Sequence, residues 1–130
     1  MVKVDKAVQC AELGVENNCF QDFGDRILKS SDNLYSVSTT IDLCTSHCFG
    51  KNHLCAGLEA GVECFCGNEI HQKCVRLPSE YNVPCSGNSL QMCGAAWRMN
   101  IYENAIHFAG KSYTIHHLYK INVHVKVVSF

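Results

Sequence analysis

The sequence predicts a small α+β domain, a disulfide-rich antiparallel sheet packed by one helix, and three observations lead there. Ten cysteines in 130 residues place the chain near the range of disulfide scaffolds. The segment 57–68, GLEAGVECFCGN, reads as the turn and second arm of a β-hairpin. The run TTID at 39–42 has the form of a capping box, in which a hydroxyl opens a helix and an acidic side chain three residues on answers it. A chain of this length holds one domain and a tail, because a second core would need more residues than remain.

Residues 1–13 mix charge and small apolar side chains around Cys10 and read as a leader with no assigned function. The opening MVKVDK lacks the apolar stretch of a signal peptide, and no run approaches the length of a membrane span. Oxidised cysteines require an oxidising compartment. The expectation is therefore a fragment, a chain lacking its first exon, or one module of a longer secreted or cell-surface protein. Within 14–104, NCFQDF at 18–23 reads as a first strand, with Cys19, Gln21 and Phe23 on one face and Phe20 and Asp22 on the other. Residues 25–37 are polar and loop-like. The helix should run to about Phe49 and stop at Gly50, its stripe of Ile41, Cys44 and Cys48 facing the sheet.

The hairpin arms, 54–58 and 62–66, flank a Glu-Ala-Gly turn. Side chains alternate across a strand, so Cys64 and Cys66 share one face and Phe65 takes the other. Two cysteines one helical turn apart and two cysteines two strand residues apart are each separated by about 6 Å, which allows two helix-to-sheet bridges. Cys44 with Cys66 and Cys48 with Cys64 is the favoured pairing, though spacing alone leaves the connectivity open. The weakly patterned segment 69–96 needs staples, for which Cys74, Cys85 and Cys93 are the candidates. In the closing strand, 97–102, Trp97, Met99 and Ile101 fall on one face and Arg98, Asn100 and Tyr102 on the other. The tail, 105–130, holds His107, His116, His117 and His124 and ends in NVHVKVVSF, either an extra strand or an exposed aggregation-prone run.

Eleven basic against twelve acidic residues give a net charge of -1, so neither nucleic acid nor an anionic membrane is an expected partner. Zinc binding by Cys44, Cys48, Cys64 and Cys66 is disfavoured because no Cys-x2-Cys pair occurs. Neither a resident metal nor a cofactor is expected. Catalysis has no support either: a Cys-His nucleophile needs a free thiolate, and nothing in their spacing makes Asp22 and Glu63 a glycosidase pair.

Five blocks, NCFQD at 18–22, TIDLCTSHC at 40–48, CAGLEAGVECFCGN at 55–68, NVPCSGN at 82–88 and CGAAWRMNIYE at 93–103, together resemble the WSC domain. That family comprises the cysteine-rich modules of fungal cell-wall stress sensors and Kremen receptors. The resemblance implies an extracellular, PAN/apple-like module with four disulfides, regarded as carbohydrate-binding. By position its eight cysteines are Cys19, Cys44, Cys48, Cys64, Cys66, Cys74, Cys85 and Cys93, with Cys10 and Cys55 as extras. The resemblance implies a Cys74 to Cys85 staple, although Tyr81 stands where the sixth family cysteine is usual and Cys74 precedes it by seven residues.

The expected function is non-catalytic binding of a neutral polysaccharide of the β-glucan kind. Phe20, Phe65 and Tyr102 are the candidate aromatic platform, since rings stack on the apolar C–H faces of sugars. Asp22, Arg26, Asn68, Asn88 and Arg98 are the candidate polar contacts. The competing readings are rings buried in the core, and a protein-interaction module of a larger receptor without sugar affinity.

Overall fold

The computed structural model describes residues 7–10, 19–108 and 111–114. In chain order the strands are β1 (Val8–Gln9), β2 (Cys19–Gln21), β3 (Leu34–Tyr35), β4 (Cys55–Glu59), β5 (Glu63–Gly67), β6 (Glu69–Ile70), β7 (Pro84–Cys85), β8 (Asn88–Met92), β9 (Arg98–Glu103), β10 (Ala105–Phe108) and β11 (Lys111–Thr114). The helix α1 spans Ile41–Gly50, ending where the sequence predicts. A five-stranded antiparallel sheet in the order β2-β9-β4-β5-β3 forms the centre. Two-stranded pairs, β1 with β6, β7 with β8 and β10 with β11, surround it.

Strand β4 lies in the middle and is buried along its whole length. It carries a glycine for a steric reason: a Cβ at Gly57 would lie 2.3 Å from Met99 Sδ and 3.0 Å from a Leu28 methyl. The β4–β5 hairpin closes at the Glu59–Glu63 pair, through Ala60 and Gly61 in left-handed conformation (φ 54° and 81°). Alternation then gives the sheet two faces. The helix face holds Cys44, Cys48, Ala56, Leu58, Cys64 and Cys66, with Tyr102 packed at its edge. The far face holds Phe20, Ile27, Leu28, Phe65, Met99 and Ile101.

The helix opens one residue later than the capping-box reading places it. Thr40 is the N-cap, its Oγ1 accepting from Leu43 N at 3.0 Å, while Thr39 Oγ1 donates to the Ser36 and Val62 carbonyls. Gln91 Oε1 accepts from Ile41 N at 3.0 Å, so the β7–β8 hairpin satisfies a helix-end donor.

Four disulfides are formed: Cys10–Cys55, Cys44–Cys64, Cys48–Cys66 and Cys85–Cys93. The helix is bridged to β5 as expected, but the favoured Cys44–Cys66 and Cys48–Cys64 pairing is corrected. Both registers satisfy the 6 Å spacing, so direction decides between them. The short link after α1 turns β4 back against the helix, and the hairpin turns β5 back against β4. Helix and β5 therefore run the same way, and the earlier cysteine of each meets the earlier of the other. Cys85 closes onto Cys93 across the β7–β8 hairpin, which corrects the Cys74 to Cys85 staple. Cys10 and Cys55, extras by family position, pair with each other and tie β1 to β4. Cys19 and Cys74 are buried on adjacent backbones, joined by Gln21 N to Cys74 O at 2.9 Å and Arg76 N to Cys19 O at 2.8 Å.

Of the tail, β10 and β11 form an antiparallel hairpin from Ala105–Thr114 to Phe108–Lys111. His116, His117, His124 and the NVHVKVVSF run lie outside the described residues. Among the described residues, no helix is long and apolar enough to cross a membrane.

Candidate functional site

The far face reaches solvent around Arg26. Just beyond β2, Asp22 is 1% exposed, and its Oδ1 accepts from Phe23 N at 2.9 Å and Ile27 N at 3.0 Å. These bonds fix the loop after the strand and leave Oδ2 to accept from Arg26 Nη1 at 2.6 Å. The same Nη1 donates to Glu59 Oε2 at 3.1 Å. Arg26 itself is left-handed, with φ 64°. Its guanidinium lies 4.9 Å from the centroid of the Phe65 ring and 5.3 Å from that of Trp97. Both distances are within cation–π range.

Trp97 forms the outer layer of this stack. It sits in a tight turn that precedes β9, held by Ala95 N to Arg98 O at 3.0 Å and Arg98 N to Ala95 O at 3.1 Å. Its φ is 57°, a region bulky residues avoid, and its carbonyl accepts from Asp22 N at 3.0 Å. Gly94 makes the turn possible: at φ 67°, a Cβ there would lie 2.4 Å from both the Arg98 and Leu58 carbonyl oxygens. Trp97 nonetheless remains 49% exposed. Among the described residues, Arg26 Nη2 and Nε have no hydrogen-bond partner, and the side chain is partly open to solvent. The arrangement can offer a ligand a broad apolar ring edged by guanidinium donors.

Beneath Arg26 the electrostatics are unusual. Glu59 is 3% exposed, and burial followed by the nearby Asp22 carboxylate raises its pKa from 4.5 to about 9, against the opposing pull of Arg26. At neutral pH Glu59 is therefore a neutral acid, and Asp22 alone balances the Arg26 charge.

The residues expected to form the site are distributed as follows. Asp22 and Arg26 come together, and Phe65 joins them from below as a buried ring. Phe20 is 2% exposed in the same core, paired with Met99 on β9. Tyr102 lies on the helix face, its hydroxyl accepting from Asn100 Nδ2 at 3.2 Å. The three rings are thus not brought into one surface. Arg98 belongs to a separate ion-pair group, with Nε 2.8 Å from Glu80 Oε1 and Arg76 Nη2 3.2 Å from the same oxygen. Asn68 and Asn88 serve the backbone, accepting from Leu54 N at 2.9 Å and Leu90 N at 3.0 Å.

Sequence reasoning missed Trp97 and Glu59. Simple alternation assigned Trp97 to the core face, whereas the strand begins only at Arg98 and the preceding residue turns outward. A glycine three residues before the chain's single tryptophan was the available signal. The Cys44, Cys48 and Cys64 sulfurs lie within 4.8 Å of one another, but all three are engaged in disulfides and offer no thiolate.

The family model described as the WSC domain matches residues 17–95. The chain is similar to Xylosyltransferase oxt of Drosophila pseudoobscura pseudoobscura, 36% identical over 94 residues, which are 71% of this chain and 11% of that protein. A WSC domain-containing protein of Arthroderma benhamiae is 35% identical over 89 residues, 68% of this chain and 12% of that protein. Kremen protein 1 of Xenopus laevis is 34% identical over 98 residues, 74% of this chain and 22% of that protein. The chain thus spans only 11% to 22% of the length of these relatives. With its disulfide-bridged helix and antiparallel sheet, and with this match over most of its described core, the chain belongs to the WSC domain family.

Proposed function

We propose that this domain is an extracellular, non-catalytic carbohydrate-binding module that takes a neutral polysaccharide of the β-glucan kind on the Trp97–Arg26 surface. The observation carrying the reading is a half-exposed tryptophan, held on a left-handed backbone and stacked on an arginine whose Nη2 and Nε have no hydrogen-bond partner among the described residues. A folded domain keeps a bulky side chain in such a conformation only where its surroundings impose it, and such residues cluster at binding sites. A sugar ring can lay its C–H face on the indole while its hydroxyls accept from Arg26. The relative named a xylosyltransferase supports a sugar-handling context. Since the match covers 11% of that protein, its transferase activity is not carried to this domain.

A protein-interaction role within a larger chain is the second reading, favoured by Leu90. This side chain is 90% exposed beside Met92 on the β7–β8 hairpin, which Cys85–Cys93 holds rigid.

Co-sedimentation with insoluble glucan, xylan and chitin tests the first reading. Retention of the parent on at least one polymer and its loss in Trp97→Ala are expected; a parent that stays in the supernatant with all three defeats it.

A further inference from the structure

Among the described residues Asp22 and Glu59 are both buried carboxyl groups beneath the binding surface, and the surroundings of Glu59 are specific. Its Oε2 and Asp22 Oδ2 both contact Arg26 Nη1, at 3.1 Å and 2.6 Å. Oε1 is buried and has no protein partner among the described residues. An ionised carboxylate would leave that oxygen charged and unsatisfied in the core, which is costly, whereas a protonated acid can donate to the adjacent Asp22 carboxylate. The charged groups facing Glu59 are Asp22 and Arg26 from the loop after β2 and Glu63 from β5. From β9 its partner is the apolar Met99.

We propose that Glu59 is the positioning residue of the Trp97–Arg26 surface: bridging Asp22 and Arg26, it fixes the guanidinium beneath the indole, on a surface where the Asp22 carboxylate cancels the Arg26 charge and uncharged saccharides are preferred over anionic ones. The inference deepens the glycan reading and rests on it. With Glu59 neutral, Asp22 cancels Arg26, so the guanidinium offers hydrogen bonds without a net positive charge for a uronate or sulfate to exploit. Glu63, paired with Glu59 across the same hairpin and close enough to act on Arg26, adds repulsion toward anions. Both carboxyl groups engage the single Nη1, which leaves Nη2 and Nε without a partner among the described residues on a side chain partly open to solvent. Glu59 touches no ligand in this scheme and acts through Arg26.

The test uses the full chain in two arms. In the first, retention on insoluble glucan is compared with retention on the same glucan after carboxymethylation. The parent is expected to bind the neutral polymer at least about tenfold better, Glu59→Ala to lose about tenfold on it, and Glu59→Gln, which mimics the neutral acid, to rescue that loss. Raising the pH through about 9 should release the parent from the neutral polymer and leave Glu59→Gln bound. Equal retention of the parent on both polymers, or the same alkaline release in Glu59→Gln, overturns the proposal.

The second arm needs no ligand. Trp97 is the only tryptophan, so its emission and near-ultraviolet circular dichroism report the stack directly. An inflection near pH 9 in the parent that vanishes in Glu59→Gln is expected. Its persistence in Glu59→Gln refutes the positioning role. A parent that binds no polymer but shows the Glu59-dependent inflection defeats the glycan reading and its selectivity while leaving the clamp on Trp97 established.

Discussion

Arg26 and Trp97 adopt left-handed backbone conformations, at φ 64° and 57°, and face each other with the guanidinium 5.3 Å from the indole centroid. Each residue occupies a region that costs an L-amino acid about 1–2 kcal/mol. The stack between them is worth about 0.5–2 kcal/mol. Packing of the loops, with Gly94 behind Trp97 and Asp22 behind Arg26, must supply the rest.

Trp97→Gly separates the stability cost of this turn from its binding role. Glycine adopts positive φ without penalty, so the relief of strain offsets the lost stack and the urea midpoint should move by no more than about 1 kcal/mol equivalent. Retention on polysaccharide should nevertheless disappear. Retention equal to the parent would remove Trp97 from the binding surface.

The disulfide pairing is open to direct mapping. Peptides joined through Cys44–Cys64 and Cys48–Cys66 are expected from a non-reducing digest, together with Cys10–Cys55 and Cys85–Cys93. The sequence separations are 45 for Cys10–Cys55 and 8 for Cys85–Cys93, and a longer closed loop constrains the unfolded chain more. Replacing the first pair with serine should therefore cost about 1.5 kcal/mol more than replacing the second, as measured by denaturant unfolding.

Glu59 makes stability fall as pH rises. Its folded pKa is raised to about 9 from 4.5, so its contribution is fully present below about pH 4.5 and is lost as pH rises toward 9, where the folded form finally ionises. Urea unfolding of the parent across this window should show a declining contribution that Glu59→Gln lacks. The variant should gain on the parent steadily from pH 5 to pH 9, and parallel profiles would show that Glu59 ionises normally in the fold.

Gly57 tests the packing beneath the site. Adding a methyl group 2.3 Å from Met99 Sδ should cost about 1–3 kcal/mol in Gly57→Ala, because the clash lies inside the closed core between β4 and β9. Removing the opposing bulk in Gly57→Ala with Met99→Val should recover part of the loss. An additive double mutant would show that the two residues do not compete for the same space.

The hairpin, the helix and the opposed directions of Phe65 and its flanking cysteines were legible because each follows from local periodicity. Cys64 and Cys66 must share a face, and Phe65 must oppose them, whatever the rest of the chain does. The pairing with Cys44 and Cys48 was less accessible, since helix and strand spacings match in either direction and the choice depends on following the chain through β4. Phe65 being covered while Trp97 is exposed is a tertiary outcome. The loop carrying Asp22 and Arg26 folds over one ring and beneath the other, and no local pattern encodes that. Glu59 read as a turn residue because glutamate beside Ala-Gly is ordinary, and its burial appears only when Arg26 arrives from a distant loop.

The Cys10–Cys55 bridge has a mechanical consequence for a domain embedded in a longer polypeptide. Tension entering along β1 crosses to β4 through sulfur and bypasses the intervening chain, whose ends are 45 positions apart. About 150 Å of contour is thereby withheld from stretching. Asp22 and Arg26 lie inside this slack segment. Their half of the indole stack carries no load, so pulling on the domain would strain the sheet before it disturbed the loop that supports Trp97.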